Sequence, residues 1–301
     1  MPTLRTVRRV ILTLAALLLL AVGFGWAFGW DAPPECPSVA GLELRGRILT
    51  PDQYRQVIAT HPRPYIYNVP APVGGGAAMI LGIEHTKDPA DPQVAEIQRR
   101  WAAFRPDVAL VEGRMGFLPP LVADPVREFG ESGATARLAR QHGVELYTWE
   151  PAIAEEVAAA TKRHDKHRAA LFFVLRPYFG AVRHGQPADP DAFVEPYRRK
   201  RTRWPGLEGT LPDMASIDAA WRQDFAGLPD WRDISDAYGL PGYLNEIATD
   251  VGVARDEHLV RTIAHLVRAG RRVFATMGSA HAVKIEAAVR QTIAARSARA
   301  R

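Results

Sequence analysis

Met79-Ile80-Leu81-Gly82-Ile83-Glu84-His85 decides the reading of this chain. A short apolar run ends in a glycine, and a histidine follows three residues later. The pattern returns near the C-terminus as Val273-Phe274-Ala275-Thr276-Met277-Gly278-Ser279-Ala280-His281. Each copy reads as a buried strand, a glycine where the backbone turns sharply, and a histidine just past the strand's C-terminal end. Between them, Val108-Ala109-Leu110-Val111-Glu112-Gly113-Arg114 is a third apolar run that ends in a carboxylate. One apolar-Gly-x-x-His match arises easily by chance. Two in one chain, each followed by a helical pattern, predict that these three strand ends meet in one pocket.

Working outward, the alternation of patterns sets the fold class. Residues 77–81 read as a strand. Asp91-Pro92 starts a helix with Val94, Ile97, Trp101 and Phe104 on one face, and residues 108–112 are the next strand. Residues 132–142 predict a short helix stopped by Gly143, and residues 144–148 a third strand. Strand–helix alternation with short connections predicts an α/β fold, a mostly parallel central sheet flanked by helices. A largely helical insertion or lid is expected at about 153–250, where Pro, Gly and the cluster Arg198, Arg199, Lys200, Arg201 and Arg203 interrupt the pattern. Residues 243–252 read as one helical piece. Asp256 reads as the N-cap of a second helix with Leu259, Val260, Ile263, Leu266 and Val267 as its stripe, and residues 273–277 as the last strand. Upstream, residues 31–38 read as a Pro-rich linker, Thr50-Pro51 as a helix start, and residues 70–76 as a turn.

Residues 10–30 carry no charge and are rich in Leu and Ala. As a helix they would span about 30 Å, the thickness of a bilayer's hydrocarbon core. Arg5, Arg8 and Arg9 precede them, which predicts an N-terminal transmembrane helix with the main domain, residues 77–295, on the periplasmic or extracellular side. A cleaved signal peptide is the rival, but Ala27-Phe28-Gly29 is a poor cleavage site. With 301 residues, 47% of them hydrophobic, the chain can bury a sizeable core. The single cysteine, Cys36, excludes an intrachain disulfide. The formal charge of +5 and the basic tail at residues 296–301 come with no nucleic-acid motif, so no nucleic-acid partner is expected.

In an open parallel sheet, ligands bind at the C-terminal ends of the strands. That rule puts His85, Glu112, Arg114, Trp149, Glu150 and His281 on one rim. Two imidazoles and a carboxylate can hold a divalent metal ion and leave a position for water. Without a metal, one histidine can act as a base, with Arg114 or the other histidine holding negative charge. Arg255 can also reach this rim. Glu84 reads as a rim residue, His164 and His167 beside Asp165 as a solvated charged face, and His142, His184, His258 and His265 as surface or packing residues.

Gly82-Ile83-Glu84-His85, residues 106–112 and Gly278-Ser279-Ala280-His281 together resemble the TraB/PrgY, TIKI and GumN group, in a superfamily with the erythromycin esterases and ChaN-like proteins. The Arg255-Asp256 pair resembles an Arg-Asp element before the last strand of that superfamily. The resemblance implies that His85, Glu112 and His281 are the functional positions. TIKI-type relatives imply metal-dependent cleavage of a peptide, and erythromycin esterases imply metal-free ester hydrolysis through histidine. ChaN-like relatives imply haem binding. This chain has Gly82-Ile83-Glu84-His85 where an erythromycin esterase has its glutamate directly after the glycine. The expectation is therefore a membrane-anchored exported hydrolase acting on a peptide or small amide or ester. The alternative is a protein that binds and sequesters a small ligand or signalling peptide.

Overall fold

Strands β1 (Tyr65–Pro70), β2 (Ala77–Ile83), β3 (Val108–Val111), β4 (Glu145–Thr148) and β5 (Arg272–Gly278) form one sheet in the order β1-β2-β5-β3-β4. β2, β5, β3 and β4 are parallel, and β1 runs antiparallel on the β2 edge. The computed structural model describes residues 12–14, 16, 23, 29–36, 41–119, 123–183 and 185–295. The predicted α/β class and mostly parallel sheet are present. β1 lies in a stretch whose alternation was not read as a strand.

The central strands β2, β5 and β3 are apolar on both faces because helices cover both. Ala78, Ile80, Val108, Leu110, Val273, Ala275 and Met277 point one way, into a core shared with Leu259, Ile263, Ile285 and Val289. Ala77, Leu81, Ile83, Ala109 and Phe274 point the other way, against Val94, Ile97, Trp101 and Phe104. This period of two follows from the pleat. The first layer comes from α8 (Tyr243–Arg268) and α9 (Ser279–Ala294), and the second from α2 (Pro92–Phe104) and α3 (Pro125–His142). A short α1 (Pro51–Val57) precedes the sheet, with Thr50 and Gln53 forming a capping box.

Between β4 and β5 the chain is helical: α4 (Ile153–Thr161), α5 (Lys166–Val182), α6 (Pro190–Arg201), α7 (Met214–Asp224) and the start of α8. These pack around a separate core that includes Phe172, Phe179, Trp221, Trp231, Leu244 and Ile247. α5 runs on through Pro177, where the sequence pattern suggested a break.

The two predicted helices at 243–252 and after Asp256 are one helix, α8, of 26 residues. Its first half faces the insertion core through Leu244, Ile247 and Val251. Its second half faces the sheet through Leu259, Val260 and Ile263. The apolar stripe changes side at the join, which mimics a helix boundary in the sequence. Asp256 is therefore not an N-cap but a buried mid-helix carboxylate.

The Pro-rich segment also departs from expectation. Rather than standing off as a linker, it lies along the β4 edge: Thr148 N–H donates to Pro34 O at 3.0 Å, and Cys36 is buried. Arg140 stacks over Trp30, 5.1 Å from its ring centre. Among the described residues no helix is long and apolar enough to cross a membrane. Most of residues 10–30, and the whole basic tail at 296–301, lie outside the described residues.

Candidate functional site

Four parallel strands end side by side, and the residue types singled out above follow them. The register pairs Ile83 with Gly278 and Leu110 with Ala275. Two residues past Leu110, Glu112 stands level with the end of β5, and its Oε2 accepts the Gly278 N–H at 2.7 Å. Glu112 is the centre of the site. Its Oε1 lies 3.3 Å from Arg255 Nη2 and 3.6 Å from His281 Nε2. Burial pushes its proton affinity up. The neighbouring His281 and the Arg255 guanidinium outweigh that and hold the carboxyl below its ordinary range.

Gly278 is the floor between the arms. A Cβ there would come within 2.9 Å of His85 Nε2 and 3.6 Å of Glu112 Oε2. His85 Nε2 therefore lies on the Oε2 side of Glu112 and His281 Nε2 on the Oε1 side. Each imidazole is held by its other nitrogen. His85 Nδ1 meets Glu131 Oε1 at 2.7 Å, and His281 Nδ1 hydrogen-bonds Asp256 Oδ1. Both acids are buried. Asp256 also accepts from Lys284 Nζ at 2.5 Å. Burial opposes ionisation of Asp256, but His281 and Lys284 keep its carboxyl below the ordinary range.

The two arms differ in exposure. The His85 side chain is 68% exposed, with its Nδ1 edge against Glu131. That hydrogen bond raises its pKa to about 9. The His281 side chain is 14% exposed and packs edge-on against Trp149, 5.3 Å between ring centres. Trp149 is itself fixed, because its indole N–H donates to Thr276 O at 3.2 Å.

Arg255, on α8, makes two 2.7 Å bonds to Glu150 at the end of β4. Glu150 also accepts the Gly113 N–H at 2.9 Å. Burial works against the Glu150 carboxylate, but Arg255 overrides it and brings the pKa to about 2. Arg114 has a different place from the one expected. Its guanidinium bonds Glu156 at 2.9 Å and the Pro151 carbonyl, so it ties the loop after β3 to α4.

The structure thus gathers His85, Glu112, Glu150, Arg255 and His281 on one rim. Among the described residues, the ligand atoms of His85, Glu112 and Glu131 all lie within 4.8 Å of one another, a group that could hold a metal ion. His281, expected from the sequence as the third ligand, is not in that group; its Nε2 lies 3.6 Å from Glu112 Oε1. A cavity of about 580 Å³ opens beside this group, lined also by Lys87, Phe129 and Ser132.

Glu131 was missed because it sits inside α3, before the helix start read from the sequence. α3 kinks at Gly130, whose φ of 60° suits glycine. A Cβ at Gly130 would meet Thr86 O at 2.7 Å, so glycine lets α3 press against the loop that carries His85. The signal available in sequence is a carboxylate flanked by Gly130 and Gly133. Asp256 was visible but was assigned to capping. Glu84 receives Ser279 Oγ and lies 3.6 Å from Arg63, in keeping with a rim role. His164 is not part of a solvated face: its side chain is buried 3.4 Å from Glu246, and Asp165 caps α5.

Comparison of the chain with protein-family models, with curated proteins and with solved structures gave no significant match to any of them.

Proposed function

We propose that the strand-end rim is a hydrolytic centre acting on a peptide or a small amide or ester. One observation carries this reading. Two imidazoles from opposite ends of the chain approach one carboxylate, and each is oriented by a buried acid on its Nδ1. That arrangement leaves each Nε2 to act at the rim, as base or as metal ligand.

His281 is suited to take a proton from water. Donating Nδ1–H to Asp256 leaves its Nε2 lone pair free, and the Asp256 carboxylate steadies the imidazolium that forms. Lys284 keeps Asp256 ionised for that task. Arg255 and the Gly278 N–H hold Glu112 in place as a carboxylate.

The donor set fits a divalent ion. His85, Glu112 and Glu131 would supply one nitrogen and carboxylate oxygens, a mixture that suits zinc or manganese, with Glu131 then giving up its hydrogen bond to His85 Nδ1 for the ion. Such an ion, when bound, would lower the pKa of a coordinated water. A second reading has its own support: with its pKa raised to about 9, His85 is a cation at neutral pH and can hold negative charge without a metal. The sequence resemblance allows both. The uncharged residues 10–30 behind three arginines support an exported, membrane-anchored setting.

The test is hydrolysis of p-nitrophenyl acetate and of a quenched fluorescent peptide, with elemental analysis of the same preparations. His85→Ala and His281→Ala should each abolish turnover and leave the melting temperature nearly unchanged. Stoichiometric metal lost in His85→Ala favours the metal reading. Turnover in the presence of a chelator favours the metal-free one. Full activity in both alanine variants removes the proposal, and tight binding with no turnover leaves a sequestering protein.

A further inference from the structure

The uncharged run of residues 10–30 ends on Trp30, and Trp30 already belongs to the folded domain. Its N–H donates to Leu118 O at 2.7 Å and its carbonyl accepts the Leu118 N–H at 3.0 Å, an antiparallel bridge to the loop that follows β3. Arg140, on α3, covers the Trp30 ring and donates to Asp31 O at 2.8 Å. A few residues on, Glu35 bridges Thr148 at the β4 edge. No slack linker therefore separates the run from the domain. Upstream of Gly29, the described members of the run, residues 12–14, 16 and 23, are helical and exposed.

The loop to which Trp30 is pinned has an unusual composition. From Met115 to Ala123 the sequence carries no charge. Met115 and Leu118 are buried, Met115 in a cluster with Val111 and Ala136. Phe117, between them, is 49% exposed. Phe129 packs against the same cluster and also lines the cavity beside His85. Leu118 follows Glu112 by six residues, no more than about 22 Å of chain. The loop is thus a neighbour of the rim.

An exposed phenylalanine alone is ordinary. This one stands where an apolar run of bilayer length ends. A helix of about 20 residues crosses the hydrocarbon core, so the residue that closes it lies at headgroup level. Two backbone hydrogen bonds bring Leu118 to the level of Trp30. A tryptophan, a half-exposed phenylalanine and an arginine side by side suit that layer, which is apolar on one side and wet on the other.

We infer that the loop Met115–Pro119 rests on the lipid surface, with Phe117 in the headgroup layer, and so fixes the rim of the site beside the bilayer. This deepens the membrane-anchored reading and rests on it. It does not depend on the hydrolase reading, and its test needs no turnover.

The experiment reconstitutes the whole chain in vesicles of phosphatidylcholine with a minor share of phosphatidylglycerol. A solvent-sensitive fluorophore is attached at Phe117→Cys or, as the reference, at Val73→Cys. Val73 is 79% exposed in the β1–β2 turn, at the end of the sheet away from the rim. Native Cys36 is buried, and wild type carried through the same labelling supplies the blank. Lipid with a spin label on its headgroup is the quencher. It should reduce emission from position 117 at least about twofold more than from position 73. Equal quenching at the two positions, in chains that float with the vesicles, overturns the inference and leaves the anchor in place. Chains that do not float with the vesicles overturn the anchored reading, and this inference with it.

Discussion

The two Gly-x-x-His arms are nearly the same in sequence and sit in opposite surroundings. The β5 arm is buried: His281 is wedged against Trp149, and its acid, Asp256, is shared with Lys284 inside the packed layer of α8 and α9. The β2 arm is open: His85 leans on Glu131 at one edge, rests its tip over Gly278, and is otherwise largely exposed. The motif fixes where a histidine sits relative to a strand end. The helix packed behind it fixes what that histidine can do. A buried dyad is pre-set and slow to rearrange, whereas an exposed pair can exchange a proton for an ion or a substrate charge.

The largest difference between the arms should appear when each acid loses its charge without losing its shape. Asp256→Asn leaves Lys284 in a confined position with no counter-charge, and breaking a buried pair costs about 3–5 kcal/mol. Glu131→Gln strips the charge from a pair whose other member is mostly hydrated, and should cost about 1 kcal/mol or less. Urea denaturation of the two variants measures both. Equal losses would mean that the arms are not energetically distinct.

The two glycines separate the arms more finely. A Cβ at Gly82 would lie 2.6 Å from Ala282 Cβ and 3.0 Å from Ser279 Cα, where packed backbone cannot give way easily. Gly82→Ala should cost about 1–3 kcal/mol through overpacking. At Gly278 the obstacle is the tip of the His85 ring, which can swing outward. Gly278→Ala should therefore cost less than about 1 kcal/mol, within the range of mild substitutions. It should still displace His85 from Glu112, visible as a shift of the His85 ring signals in NMR. Unmoved His85 signals in a stably folded Gly278→Ala variant would show that the ring does not rest on this glycine.

Much of this contrast could be read from the chain alone, and the limits have physical causes. The strands β2, β3 and β5 were legible because each is apolar on both faces and has a glycine at or just past its end. His85, Glu112 and His281 were legible because a strand end places the next residues on the rim. The acids behind the histidines were not, since both sit within helices. Glu131 follows a kink that only a positive φ at Gly130 reveals. Asp256 lies where α8 passes from one core to another, and local periodicity cannot distinguish that passage from a helix start. Arg114 was misplaced for a related reason: its partner Glu156 comes from the insertion, 42 residues away.

The smallest effect separates the arms by sign. The folded chain holds the His85 proton more tightly than the unfolded chain, with a pKa of about 9 against an ordinary 6.5. The Glu131 pair therefore contributes its full stability below pH 6.5 and loses it as the pH rises through about 9. Asp256 behaves the other way. Its folded carboxyl titrates below the ordinary 3.8, so its contribution is present above that value and fades as the pH falls further. Denaturation of the wild type and Glu131→Gln across this range should show the difference between them closing on the alkaline side only. Because the His85 ring is mostly in water, the change should stay below about 1 kcal/mol. The same proton competes with any cation at His85, so metal affinity, where present, should climb with pH until the ring is neutral. A gap between wild type and Glu131→Gln that widens above pH 9 would mean that Glu131 does not hold the imidazolium.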